Sequence, residues 1–124
     1  MRQMSDSTTA IDLPPAPPHL ANDPVLRRAK EGLHEIYGDR LAAVVVYGSR
    51  ARGDQRPDSD YDLIALIGDF DPERDRKHEL YDLELELIQL EPLEIEVNIR
   101  PMDERALERR TGFMFNVRKE GLRL

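Results

Sequence analysis

The sequence predicts a small α/β domain, a mixed sheet of about three to four strands with helices packed on it. Three observations carry that expectation. Leu41–Tyr47 is an almost wholly apolar, Val-rich run, the composition of a strand covered on both faces. Asp60–Ile67 reads as a second strand, ended by Gly68. Leu93–Arg100 alternates strictly, with Leu93, Ile95, Val97 and Ile99 on one face and Glu94, Glu96, Asn98 and Arg100 on the other. Segments of helical spacing separate these runs, and strands interleaved with helices build a layered sheet.

The elements follow in order. Five of the nine prolines fall within the first 24 residues, beside a Ser/Thr cluster and without apolar periodicity. Met1–Asn22 is therefore expected to be a disordered or polyproline-like tail, leaving residues 23–124 as a single domain. Asp23-Pro24 is a cap-plus-proline start for a helix carrying Leu26, Ala29, Leu33, Ile36 and Tyr37, with Gly38 as its stop. Gly48-Ser49 breaks the first strand, and a polar loop with Asp54, Pro57, Asp58 and Ser59 leads to the second. Asp71-Pro72 repeats the start signal before a long amphipathic helix, marked by Leu80, Leu83, Leu87 and Leu90 and closed by Pro92. Asp103 is read as the cap of a short helix to about Arg110. Phe113–Glu120 is read as the last helix, ending at Gly121.

Composition narrows the function. A chain of 124 residues buries about two-thirds of the surface its unfolded form exposes, enough for one core. Lys plus Arg number 18 and Asp plus Glu 25, a net charge of −7 that argues against free nucleic acid as a partner. No apolar run approaches the roughly 18 residues of a membrane span, and the opening MRQMSDSTTAIDLPP lacks the apolar stretch of a secretion signal. Without cysteine there is neither a disulfide framework nor a thiolate zinc site. A cytoplasmic globular domain is expected. His19, His34 and His78 are scattered and give no support to a hydrolase triad.

The informative segment is Gly48-Ser49-Arg50-Ala51-Arg52-Gly53, then a loop, then Asp60-Tyr61-Asp62-Leu63. Gly48 ends a buried strand and permits a sharp turn that a Cβ would obstruct. Ser49 opens a short helix whose free N–H groups and hydroxyl suit a phosphate. Asp60 and Asp62 lie two apart on a strand, so both carboxylates point to one face. Two hard oxygen ligands side by side suit Mg²⁺, which takes one or two carboxylates together with substrate phosphates and waters. The plain alternative is a Gly-Ser turn followed by solvated aspartates at a strand edge.

Gly-Ser, ten intervening residues, then Asp-x-Asp resembles the signature of the DNA polymerase β-like nucleotidyltransferases. The string GSRARGDQRPDSDYDL and the small size look like their minimal nucleotidyltransferase branch, as does the FNVRKEGLRL ending with its Glu-Gly. The resemblance covers roughly Val25 to Leu124. It implies that Ser49 binds nucleotide phosphate with Gly48 allowing close approach, and that Asp60 and Asp62 hold two Mg²⁺ ions. It also implies ATP as nucleotide donor and a third carboxylate from the strand beside the aspartates. Glu94 and Glu96 share that polar face; Glu96 is chosen because it lies one pleat further from Pro92. Arg52, and less so Arg50, would neutralise triphosphate charge. Minimal nucleotidyltransferases resembling this chain are antitoxins of HEPN ribonuclease toxins and transfer AMP to a toxin tyrosine. The expected function is therefore that of a protein adenylyltransferase antitoxin. Two alternatives are a binding module that neutralises the toxin by contact and a small-molecule nucleotidyltransferase working as a dimer.

Overall fold

A computed structural model describes residues 12–90 and 95–124. Its strands are Leu41–Tyr47 (β1), Tyr61–Ile67 (β2), Val97–Asp103 (β3) and Leu122–Arg123 (β4). They form one mixed sheet in the order β3-β2-β1-β4. β1 runs antiparallel to β2 and β4, and β2 runs parallel to β3. The helices are Pro18–Ala21 (α1), Pro24–Tyr37 (α2), Ser49–Arg52 (α3), Pro72–Asp75 (α4), His78–Ile88 (α5) and Gly112–Glu120 (α6).

The alternation of side chains divides the sheet into two buried faces. Val44, Val46, Leu63, Ala65 and Ile67 pack with Leu26, Leu33, Leu83 and Leu87 of α2 and α5. On the other face, Val45, Ile64 and Leu66 meet Leu13, Leu107, Met114 and Val117. Each fully buried aliphatic side chain contributes about 1.5–3 kcal/mol. The chain begins α2 as its signal predicts: Asp23 Oδ1 accepts from the N–H of Val25 at 2.8 Å and of Leu26 at 3.3 Å. Thr111 caps α6 in the same way through Met114 N, at 3.1 Å.

Four expectations change. The predicted long helix is two, α4 and α5, broken at Arg76 and Lys77. Asp75 is fully buried there; its carboxylate takes Arg40, Arg74 and the Asp71 N–H, and its carbonyl accepts the Tyr37 hydroxyl at 2.6 Å. That network turns the chain before a second helical turn can continue. The segment Asp103–Arg110 holds the end of β3 and a 3₁₀ turn over Ala106–Glu108 in place of a helix. The tail assignment fails for residues 12–22, because Leu13 and Leu20 are buried and Ala16 N donates to Arg123 O at 2.7 Å. Arg123 N in turn donates to Pro14 O at 2.9 Å, so the proline-rich segment lies along β4. Finally, the strand expected over Leu93–Arg100 is β3, shifted to Val97–Asp103; Pro92 and Glu94 lie outside the described residues.

β3 is an edge strand, and its exposed edge is blunted. The outward N–H of Ile99 donates to Glu84 of α5 at 2.8 Å, and the next outward position is Pro101, which has no N–H. Burial pushes the Glu84 carboxyl up and the Ile99 N–H opposes it. Glu86 pairs with Arg28 of α2, so Glu84 and Glu86 of α5 both make contacts within the fold.

Candidate active site

The site forms where β1 ends and β2 begins. Gly48 has φ 81°, a region that favours glycine, and a Cβ built on it would lie 2.7 Å from Asp62 Oδ2. The backbone thus approaches the carboxylate as only glycine permits. Tyr47 stands in register with Asp62. It is half-buried, its ring edge-on to Phe113 at 5.4 Å between centroids. Burial pushes the Tyr47 hydroxyl up, with Arg100 opposing and the Asp62 charge adding to the rise.

Ser49 opens the single turn α3, which Gly53 closes at φ 83°. The two arginines of this turn have different work. Arg50 is buried, its guanidinium 3.8 Å from the Tyr61 ring centroid, and it donates to Ser59 O from Nε at 3.1 Å and from Nη2 at 2.7 Å. It fastens the loop to the start of β2. The Tyr61 hydroxyl continues the tie to Asp23 Oδ2 at 2.8 Å. Arg52 is exposed at the mouth of the turn, between Asp54 Oδ2 at 3.2 Å and Glu120 at 3.3 Å. Asp54 first, then Glu120, hold its guanidinium more firmly charged.

Asp62 continues the face of Ile64 and Leu66, and Asp60 lies one pleat further out, exposed. Strand register decides what stands beside them. Asn98 faces Asp62, its Nδ2 donating to Oδ1 at 3.3 Å. Glu96 lies one residue before β3, opposite Asp60; its N–H donates to Asp60 Oδ1 at 3.4 Å and its carbonyl accepts from Tyr61 N at 3.0 Å. The Glu96 residue is exposed, and Glu94 lies outside the described residues. The structure thus brings Gly48, Ser49, Asp60 and Asp62 to one end of the sheet, with Arg52 at its rim and Glu96 beside Asp60.

Two residues at this end of the sheet, Asn98 and Glu120, stand outside the Gly-Ser and Asp-x-Asp motif. Alternation already put Asn98 on the polar face, but its place beside Asp62 depends on inter-strand register. Among the described residues no three acidic, histidine or cysteine side chains converge as a ready-made metal cluster. The donor set nevertheless fits Mg²⁺ shared with phosphates: two carboxylates on one face, an amide beside one of them, and a cradle at Gly48 that a Cβ would fill.

The site is open. A groove of about 630 Å³ lies elsewhere, between α5 and β3, and is lined by Phe70, Lys77, Tyr81, Arg100 and Met102. The paired carboxylates and the glycine turn meet at the sheet end and not in that groove. Among the described residues no helix is long and apolar enough to cross a membrane.

Comparison with known proteins agrees with the fold. The chain matches the nucleotidyltransferase domain family over residues 26–119. No curated protein matches it. A crystal structure of a toxin–antitoxin with AMP-PNP shares 20% identity and a TM-score of 0.50, covering 77% of this chain and 68% of that one. A Sulfolobus solfataricus protein ascribed to the nucleotidyltransferases shares 19% identity over 80% of this chain and 78% of its own, at a TM-score of 0.39. A match spanning the glycine turn, both aspartates and the C-terminal helix leaves one assignment: the chain belongs to the nucleotidyltransferase domain family.

Proposed function

We propose that this nucleotidyltransferase is an antitoxin that transfers AMP from ATP to a hydroxyl of a HEPN-type toxin. The observation that carries the reading is the close approach of the Gly48 backbone to Asp62 at an open sheet end. A phosphate-binding turn pressed against paired carboxylates suits a metal-bound triphosphate. The groove between α5 and β3 lies away from the aspartates, which suits an acceptor hydroxyl carried in on the surface of a partner protein. The likeness to a toxin–antitoxin structure with AMP-PNP supports the same partner class.

In this reading Asp60 and Asp62 hold Mg²⁺, two ions being expected, with Glu96 as the third carboxylate. The chemistry such a metal would supply is neutralisation of charge on the α-phosphate and on the departing pyrophosphate. Gly48, Ser49 and Arg52 receive the triphosphate oxygens. Glu96 accepts the proton of the acceptor hydroxyl as its oxygen bonds to the α-phosphorus and the bond to pyrophosphate breaks.

Asn98 favours a second reading. The amide beside Asp62 adds no negative charge from β3 there, so a domain that neutralises its toxin by contact, with weakened chemistry, is the alternative. Co-expression with a HEPN toxin and intact-mass measurement separates the two. Transfer predicts a toxin heavier by one AMP unit, lost with Asp60→Asn. An unmodified toxin that is still neutralised points to contact alone.

A further inference from the structure

The Glu120-Gly121 pair near the C-terminus has no part in the chemistry above, yet the tertiary structure brings it to the phosphate-binding turn. β4 pairs antiparallel with β1, with Val46 opposite Leu122. Two residues further along that register, Glu120 comes opposite Gly48. The contact is direct: Gly48 N–H donates to Glu120 Oε1 at 3.2 Å, and both carboxylate oxygens lie 3.3 Å from Arg52 Nη1. Gly121 makes this approach possible, since a Cβ there would lie 2.5 Å from Val117 O and 3.1 Å from Val45 Cγ1.

A carboxylate is an unfavourable neighbour for a triphosphate unless it is matched. Here Arg52 matches it, and the Glu120 side chain is only 20% exposed. An aliphatic side chain would serve to seat α6. Glu120 instead meets the N–H of the φ-positive glycine and the cation beside it. We infer that Glu120 is a positioning residue for nucleotide binding: it locks the Gly48 turn in its φ-positive conformation against Asp62 and aims Arg52 at the phosphate site. The role rests on the nucleotidyltransferase reading of that site and adds to it a residue from the far end of the chain.

The experiment compares wild type, Glu120→Ala and Glu120→Gln by calorimetric titration with MgATP, with amide exchange at Gly48 and melting temperature measured on the same samples. Glu120→Ala should weaken MgATP binding about five- to tenfold, the scale of one lost hydrogen bond and a misdirected cation, and speed Gly48 exchange. Glu120→Gln keeps a carbonyl oxygen for the Gly48 N–H and should recover most of both. Equal affinities in all three proteins would overturn the role and leave Glu120 as an ion pair only. Tighter binding in Glu120→Ala would overturn it too, by showing that the carboxylate competes with phosphate. A fall in melting temperature with unchanged affinity would reduce it to a packing contact. Wild type that does not bind MgATP at all would instead sink the nucleotidyltransferase reading of the site, and this role with it.

Discussion

Asn98 stands in register with Asp62, its amide nitrogen 3.3 Å from the carboxylate oxygen. An amide there adds no charge, whereas a carboxylate would repel Asp62 across the two strands until a cation joined them. Asn98→Asp should therefore lower the melting temperature slightly without metal, regain it with Mg²⁺, and tighten MgATP binding severalfold. The same titration without Mg²⁺ should show no ATP binding, and Asp62→Asn should abolish the metal-dependent part. Equal ATP affinity in Mg²⁺ and in EDTA would end the metal assignment.

Gly48→Ala places a methyl group 2.7 Å from Asp62 Oδ2 on a backbone at φ 81°. The strain costs about 1–3 kcal/mol, and relief requires the turn and the carboxylate to part. MgATP binding should be lost while the circular dichroism spectrum keeps its native form. Retained affinity would show that the turn is not where phosphate binds.

Asp75 should govern acid stability. Arg74, then Arg40, hold its carboxyl well below the usual range, with the Asp71 N–H adding to them. In the unfolded chain the carboxyl takes up its proton near pH 4. The stabilisation is thus full above about pH 4 and is lost as pH falls through the lower folded value. Asp75→Asn removes it at neutral pH, for about 2–3 kcal/mol after discounting for the half-exposed arginines, or roughly 10 °C in melting temperature. The variant's unfolding should show a shallower dependence on pH below 4. A slope equal to that of wild type would mean another carboxylate controls the acid limb.

The N-terminal segment should divide in two. Removing residues 1–11, whose Ser/Thr-rich composition offers little to bury, should leave the melting temperature unchanged. Removing residues 1–22 strips Leu13 and Leu20 from the core, and Leu13→Ala alone should cost about 2–5 kcal/mol. Equal melting temperatures for the two truncations would show that the packing of Leu13 contributes nothing.

The sequence by itself determined the local features. The caps at Asp23 and Asp71, the apolar runs of β1 and β2, and the Gly-Ser turn with two aspartates were legible because each depends on neighbours within a few residues. The mixed sheet with helices packed on it followed from the order of those elements, and the structure shows both faces covered. Only the tertiary structure decided what depends on register and burial. Asn98 faces Asp62 because β3 pairs parallel with β2 at one offset, and alternation alone cannot supply an offset. The expected long helix divides because Asp75 is buried among its own helix cap and groups from the end of α2 and the turn after it. The proline-rich segment packs because Leu13 and Leu20 find a surface made by the rest of the fold. Glu120 reaches Gly48 across 72 residues of sequence because a two-residue strand, too short to leave a period in the sequence, pairs with β1.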